Sequence, residues 1–134
     1  MSSEETARRI LSEYRTWAVV GWSPNPTRDS NRVASFLESR GYRVIRVNPN
    51  ACDDHPDCHP DLASVGEPVE VVDIFRRSEA AGAHVDEAIA IGARAVWMQL
   101  GVLDPAAAAR AEAAGLDVVM DRCPAIDHPR LIGV

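Results

Sequence analysis

The stretch that decides the fold reads Trp17-Ala18-Val19-Val20-Gly21-Trp22-Ser23-Pro24-Asn25-Pro26-Thr27-Arg28-Asp29-Ser30-Asn31. Its first four residues form an apolar run typical of a buried strand, and the run ends abruptly at Gly21. A helical pattern of apolar residues follows from Val33 to Leu37. A strand that breaks at a glycine and enters a helix presents unpaired backbone N–H groups and the positive end of a helix dipole. This arrangement predicts an anion site, with phosphate as the first candidate.

Polar side chains surround this predicted turn. Arg28 and Arg32 add positive charge, and Ser23 and Ser30 add hydroxyl donors, while Asp29 places a negative charge in the same loop. All 14 basic residues are arginine, so a catalytic lysine is excluded. Arginine is well suited to phosphate because its planar guanidinium donates two parallel hydrogen bonds.

Composition limits the class of protein. The chain has 134 residues, which predicts a single domain over residues 1–134, with 46% apolar and 25% charged residues. Its formal net charge of -6 argues against nonspecific binding to nucleic acid or to an anionic membrane. No segment approaches the roughly 20 apolar residues of a membrane span, and the charged segment 1–14 lacks a signal-peptide core. We therefore expect a cytoplasmic protein.

The cysteines and histidines are candidates for other chemistry. Cys52, Cys58 and Cys123 are an odd number and do not suggest a disulfide framework. The segment Cys52-Asp53-Asp54-His55-Pro56-Asp57-Cys58-His59 carries zinc-ligand types, but its spacing matches no standard finger. A solvated loop explains it equally well, and we predict no metal site.

Strand and helix patterns alternate along the chain. The strand patterns are Trp17–Val20, Arg43–Val47, Val69–Ile74, Ala95–Gln99 and Asp117–Met120, and the helical ones are Thr6–Tyr14, Asn31–Arg40, Glu79–Ile91 and Pro105–Ala114. Nearly continuous Val and Ile strands alternating with helices indicate a parallel sheet covered on both faces. The prediction is a doubly wound, Rossmann-like α/β domain with a five-stranded sheet in the order 3-2-1-4-5. Ligands of such sheets bind outside the carboxyl ends of the strands.

The residues missing from the turn and from the end of the second strand narrow the choice of nucleotide ligand. A dinucleotide fingerprint needs three glycines at fixed offsets and an acidic residue at the end of the second strand. Here the turn has Gly21 alone, and the second strand ends in Asn48-Pro49. The arginines of that strand, Arg43 and Arg46, suit a ligand with a phosphate on its ribose. NADP and coenzyme A both qualify.

The turn Gly21-x-Ser23-x-x-Pro26-x-Arg28-x-Ser30 resembles the phosphate loop of small stand-alone CoA-binding proteins, which are relatives of the nucleotide-binding domain of the succinyl-CoA synthetase α-subunit. The resemblance continues in order through residues 41–45, 47–49, 72–77, 95–102 and 115–124, and covers about residues 5–132.

This resemblance implies a set of coenzyme A contacts. The loop that cradles the diphosphate would comprise Gly21, Ser23, Pro26, Arg28, Ser30 and Asn31, with Ser23 and Arg28 as the main side-chain donors. The adenosine end would be bordered by Asn48 and Pro49. The wall after the third strand would be formed by Ile74, Phe75 and Arg76. The adenine or the start of the pantetheine arm would be approached by Met98, Gln99 and Leu100.

Three classes of function stay open at this point: a non-catalytic CoA or acyl-CoA binding protein, an NADP-type dinucleotide-binding protein or oxidoreductase fragment, and a subunit that acts with a partner chain. The resembled synthetases need a nucleotide-activating domain and a phosphorylated histidine, for which this chain has no room. We therefore favour binding of a small-molecule ligand without catalysis, and homodimers are compatible with the sequence. Cys123 follows the last strand beside Arg122, and we expect it to pack in the interior rather than to react with the CoA thiol.

Overall fold

The computed structural model describes residues 1–50, 52 and 55–133. Within these residues the chain forms five helices and six strands. The helices are α1 (Ser3–Glu13), α2 (Asp29–Ser39), α3 (Ser78–Ala90), α4 (Pro105–Ala113) and α5 (Pro124–Leu131). The strands are β1 (Thr16–Val20), β2 (Arg43–Val47), β3 (Cys58–His59), β4 (Val71–Ile74), β5 (Ala95–Met98) and β6 (Asp117–Val119). In this described part of the chain, none of the helices has the length and apolarity to cross a bilayer.

All the strand pairs are parallel, and the sheet order is β3-β2-β1-β4-β5-β6. The chain moves outward from β1 through β2 to β3, and then returns to the other side of β1 as β4. The crevice of a doubly wound sheet opens where the winding direction reverses in this way. The reversal therefore places the candidate site at the carboxyl ends of β1 and β4.

The Rossmann-like α/β class is confirmed, but the five-strand count is wrong. The additional strand, β3, has only two residues and pairs with Arg46 and Val47 at the sheet edge. The predicted order placed the third predicted strand, Val69–Ile74, at that edge. In the structure this strand is β4, and it lies directly beside β1. The sequence pattern could not predict which strands are neighbours, because a right-handed crossover can place the next strand on either side of the sheet. Helix α5 was also missed, since it contains Pro129, a residue that normally interrupts helices.

Two apolar layers cover the two faces of the sheet. Because side chains alternate along a strand, Ala18 and Val20 of β1 face the layer formed with α3 and α4. Trp17 and Val19 face the layer formed with α1, α2 and α5. Trp97 lies in this second layer with no exposed surface and packs against Trp17 as a core residue. Helices α2 and α3 therefore begin on opposite faces of the sheet, and both begin at the carboxyl ends of the strands.

One carboxyl group lies within the strands themselves. Asp73 on β4 has no exposed surface, and within the described residues neither of its side-chain oxygens has a hydrogen-bond partner. Burial raises the pKa of Asp73 well above its ordinary value, because a charge in an apolar interior loses its hydration. The native state therefore favours the protonated acid.

We expect Asp73→Asn to change how stability depends on pH. Because its native pKa is raised, Asp73 keeps its proton in the folded wild type at pH values above about 4, where the unfolded chain loses it. The stability of the wild type therefore falls as the pH rises from about 4 toward the native pKa, by up to about 1.4 kcal/mol per pH unit. Asparagine does not titrate, so in urea unfolding the variant should gain stability relative to the wild type as the pH rises above about 4. Parallel stability curves for the two proteins would contradict a titrating, buried Asp73.

Candidate nucleotide-binding cleft

A cavity of about 830 Å³ opens at the carboxyl ends of the central strands. It is bordered by the loop after β1, by the start of α3 after β4, and by the loop after β5. Its lining residues are Gly21, Ser23, Thr27, Arg28, Asp29, Ser30, Asn48, Phe75, Arg76, Arg77, Gln99, Leu100, Gly101 and Val102.

Gly21 makes the turn from β1 toward α2 possible. Its φ of +85° lies in the left-handed region that favours glycine. Its N–H donates to the Val47 carbonyl oxygen at 2.8 Å, while the Phe75 N–H donates to the Val20 carbonyl oxygen at 2.9 Å. A Cβ atom on Gly21 would collide with the Phe75 carbonyl oxygen. The turn therefore requires glycine for its backbone angle and for its contact with the neighbouring strand.

The loop between Gly21 and α2 is held by its own polar side chains. The Ser30 hydroxyl accepts a hydrogen bond from the Ser23 N–H at 3.0 Å, and the Asn31 side chain donates to the Ser23 carbonyl oxygen at 3.0 Å. The Ser23 hydroxyl accepts from the Asn25 N–H at 3.1 Å. Asn48 at the end of β2 donates to the Trp22 carbonyl oxygen at 2.7 Å. These bonds fix the loop before a ligand arrives, which lowers the cost of binding.

The start of α2 carries positive charge that has no partner in the described residues. Arg28 is the N-cap residue, and no side chain caps this helix end within the described residues. The first N–H groups of a helix have no partner inside the helix. Asp29 forms an ion pair with Arg32, so its negative charge is balanced from outside the cavity. Arg28 has no ion-pair partner in the described part of the chain, so its charge is free to meet an anion.

The two arginines of β2 are not available to a ligand. Arg43 pairs with Asp57 at 3.0 Å and with Glu67 at 2.6 Å, and these bonds raise its pKa further. Arg46 is buried, pairs with Glu38 at 2.7 Å and lies over the Trp22 ring. Neither lines the cavity, which does not favour these residues as partners of a ribose phosphate, and that contact stays a prediction.

The opposite wall combines apolar surface with one buried amide. Gln99 is 6% exposed, lines the cavity, and its Oε1 atom has no partner in the described residues. The loop that follows is fixed by the Asp121 carboxylate, which accepts from the Gly101 N–H at 2.7 Å, and by the Ser78 hydroxyl, which accepts from the Leu103 N–H at 3.0 Å.

The structure brings most of the residues proposed for binding together around one cavity: Gly21, Ser23, Arg28, Ser30, Asn48, Phe75, Arg76, Gln99 and Leu100. Ile74 and Met98 instead lie fully buried in the strands. Asn31 does not line the cavity and holds the loop through its hydrogen bond to the Ser23 carbonyl oxygen. Pro26 and Pro49 are exposed residues outside the lining. The contacts of all the proposed site residues with a ligand stay predictions.

Thr27, Asp29 and Gly101 also line the cavity and belong to predicted crevice segments, whereas Arg77 and Val102 line it and were left out of the sequence prediction. Arg77 could have been found, because it lies two residues before Glu79, where the predicted helix after the third predicted strand begins. The same rule that selected Arg28 before α2 applies to it.

The cysteines take structural positions. Cys52 and Cys58 form a disulfide, with Cα atoms 5.2 Å apart, which corrects the expectation of no disulfide. Paired sulfurs are not zinc ligands, while Asp53 and Asp54 of the same segment lie outside the described residues. Cys123 is buried in the layer beneath α5 and does not line the cavity. The expectation that it packs in the interior is confirmed.

These features define a Rossmann-like α/β domain with an arginine-lined cleft at its switch point. The profile of the CoA binding domain family matches residues 15–129. The chain belongs to this family, as the resemblance of its motifs implied.

Similar proteins cover nearly the whole chain. It is 30% identical over 127 residues to the uncharacterized protein YneT of Bacillus subtilis (strain 168), with 94% of each chain covered. The solved structure of Prb, a protein redesigned for binding, has 39% identity and a TM-score of 0.93, covering 100% of this chain and 94% of its own. A hypothetical protein from Pyrococcus horikoshii OT3 has 36% identity and a TM-score of 0.90, covering 99% of this chain and 94% of its own.

The fold also occurs inside a larger enzyme. The dinucleotide forming acetyl-coenzyme A synthetase 1 of Ca. Korarchaeum cryptofilum has a TM-score of 0.69 at 22% identity. The match covers 83% of this chain and 27% of the synthetase chain. At this identity the likeness shows the fold alone.

We expect Gly21→Ala to cost more stability than Gly41→Ala. Both glycines have positive φ, +85° and +89°, so alanine should strain each backbone by about 1–2 kcal/mol. Only Gly21 also contacts a neighbouring carbonyl, whereas a Cβ on Gly41 meets nothing within 4 Å. Chemical unfolding of both variants measures the difference. Equal losses would mean that the contact between Gly21 and β4 does not constrain the turn.

Proposed function

We propose that the protein binds coenzyme A or an acyl-CoA without catalysing a reaction, and that the loop from Gly21 to Ser30 holds the diphosphate. The observation that carries this proposal is Arg28, an arginine without an ion pair in the described residues, at the uncapped start of α2 and on the wall of an 830 Å³ cavity. Membership of the CoA binding domain family supports the choice of ligand.

The charges of the cavity favour a polyanion. Arg28, Arg76 and Arg77 line it and have no ion-pair partner in the described part of the chain, while Asp29 is neutralised by Arg32. A diphosphate at the start of α2 would meet backbone N–H groups, the positive helix end and the Arg28 guanidinium together. The overall charge of -6 makes such a positive surface a local feature, which supports a specific anion site.

The remaining wall suits a pantetheine arm. Phe75, Leu100 and Val102 provide apolar surface, and Leu100 is 54% exposed at the rim. Gln99 adds a polar amide to this wall, and a pantetheine arm carries amide groups of its own. Small-molecule sites commonly combine an apolar lining with a few placed polar groups in this way.

The histidines support binding without catalysis. His84 lies on α3 and contacts Glu87 at 2.7 Å, and His128 is a buried residue of α5, where burial lowers its pKa. His55 packs against Trp22, and His59 lies on β3. None of the four lines the described cavity, so general acid or base chemistry there would need another group.

A thermal-shift comparison of CoA with NADPH tests the function. A ligand at 100 times its Kd should stabilise the fold by about 2.7 kcal/mol, which raises Tm by several degrees. We expect this rise with CoA and no rise with NADPH, because β2 offers neither an acidic residue nor a free arginine to a dinucleotide ribose. A shift with NADPH and none with CoA would favour the dinucleotide-binding alternative.

We expect Arg28→Ala to weaken CoA binding by about 1.5–3 kcal/mol, the range for hydrogen bonds to charged groups. Arg94→Ala is the matched control, because Arg94 is exposed, lies outside the cavity and has no ion-pair partner in the described residues. Calorimetric titration of both variants measures the effect. Unchanged affinity in Arg28→Ala, or an equal loss in the control, would remove Arg28 from the site.

The cytoplasmic location and the oligomeric state stay predictions. Size-exclusion chromatography with light scattering, with and without CoA, would determine whether the protein acts as a monomer or a homodimer.

A further inference from the structure

The disulfide between Cys52 and Cys58 is a reactive group that the proposed function does not use. Both cysteines keep part of their surface exposed to solvent, which gives a thiol in solution access to the bond. In the cytoplasm, where we expect this protein, disulfides are usually transient and serve redox sensing or catalysis rather than permanent stabilisation. The bond is therefore a candidate for reversible reduction.

The surroundings of Cys52 also accommodate the reduced state. Its Sγ atom lies 3.1 Å from the Asn48 carbonyl oxygen and 3.2 Å from the His59 carbonyl oxygen. A disulfide sulfur carries no proton and cannot donate to these oxygens, whereas a thiol can donate to either of them. Reduction therefore gives Cys52 a hydrogen bond that the oxidised form lacks, and this bond offsets part of the cost of opening the bridge.

The bridge lies next to residues that shape the cleft. Asn48 lines the cavity, and its side chain donates to the Trp22 carbonyl oxygen at 2.7 Å. His55, which lies between the two cysteines in the sequence, packs edge-on against the Trp22 ring with 5.5 Å between the ring centroids. Trp22 stands between Gly21 and Ser23, two lining residues of the loop after β1. The segment closed by the disulfide therefore contacts the loop that we expect to hold the diphosphate.

We propose that Cys52 and Cys58 form a reversible thiol switch that controls ligand affinity, with the oxidised protein binding more tightly than the reduced protein. The reactant is a thiol, RSH. Two RSH molecules reduce the bond: the protein S–S bond breaks, an RS–SR bond forms, and two electrons and two protons pass to the cysteine sulfurs. The inference rests on the proposed function, because affinity for the proposed ligand is what the switch changes.

The physical basis of the switch is the freedom of the chain between the cysteines. A cross-link between residues six positions apart restricts the conformations open to that chain. The closed bridge holds His55 against Trp22 and Asn48 at the cavity wall. In the reduced protein this segment has to be ordered again when the ligand binds, and that entropy cost lowers the affinity.

The test compares oxidised and reduced wild type in calorimetric titrations with S-methyl-CoA, whose capped sulfur cannot exchange with the disulfide. A phosphine reductant opens the bond without adding a thiol. Thiol counting in denaturant verifies the two states, with Cys123 alone free in the oxidised protein and all three cysteines free in the reduced protein. Reduction should weaken binding by at least about fivefold, the lower end of typical coupling between two sites.

The double variant Cys52→Ser/Cys58→Ser is the matched control. It cannot form the bond, so it should bind like the reduced wild type with and without the phosphine. By linkage, S-methyl-CoA should also make the wild-type disulfide harder to reduce by the same factor. For this two-electron couple, a fivefold effect is a shift of about 20 mV in the midpoint potential, which redox titrations with and without S-methyl-CoA measure.

Three results would overturn the switch and leave the proposed function intact. The first is equal or tighter binding after reduction of the wild type. The second is three free thiols in protein kept under oxidising conditions. The third is a loss of affinity in the double variant on adding the phosphine, because the effect would then arise elsewhere. Absence of binding by both S-methyl-CoA and CoA in either redox state would instead refute the proposed function, and the switch with it.

Discussion

At Gly21 the backbones of three strands come together. Its N–H is bonded to the end of β2, and its Cα faces the Phe75 carbonyl at the end of β4, at a distance that leaves no room for a side chain. The positive φ then directs the chain away from the sheet and into the loop before α2. This contact fixes the position of the loop against the switch point, so the wall after β1 and the wall after β4 enclose one cavity.

Charge pairing decides which arginines can act in that cavity. Arg43 and Arg46 look suitable in the sequence, but their partners Asp57, Glu67 and Glu38 occupy them. Asp29 looks unfavourable in a phosphate loop, yet its pairing with Arg32 balances it. Among the arginines without an ion pair in the described residues, Arg28, Arg76 and Arg77 line the cavity, at or just before the starts of α2 and α3. A protein with an excess of acidic residues thereby keeps a concentrated positive surface at one site.

The sequence allowed the layered α/β fold and the position of the site to be predicted, because both follow from local patterns. The apolar run of β1, its end at Gly21 and the helical periodicity after it are visible within 20 or so residues, and each corresponds to one element of the fold. The order of the strands could not be predicted in the same way. The two-residue strand β3 has no periodicity of its own, and the place of β4 beside β1 depends on long-range packing.

Within the site, the residues whose place at the cavity could be predicted are those that directly follow a strand. Strand direction alone brings Asn48, Phe75 and Gln99 to the same cavity. Ile74 and Met98 lie one residue earlier and are fully buried, since the last residues of a central strand are still enclosed by both layers. Ion pairs between residues distant in sequence, such as Arg43 with Glu67, leave no local pattern, so the availability of each arginine emerged only from the structure.

A crystal structure of the protein soaked with coenzyme A tests the central claim most directly. We predict density for the diphosphate beside the first N–H groups of α2, within hydrogen-bond distance of the Arg28 guanidinium. A fully occupied CoA molecule bound elsewhere on the surface, or a cleft left empty at saturating CoA, would contradict the claim.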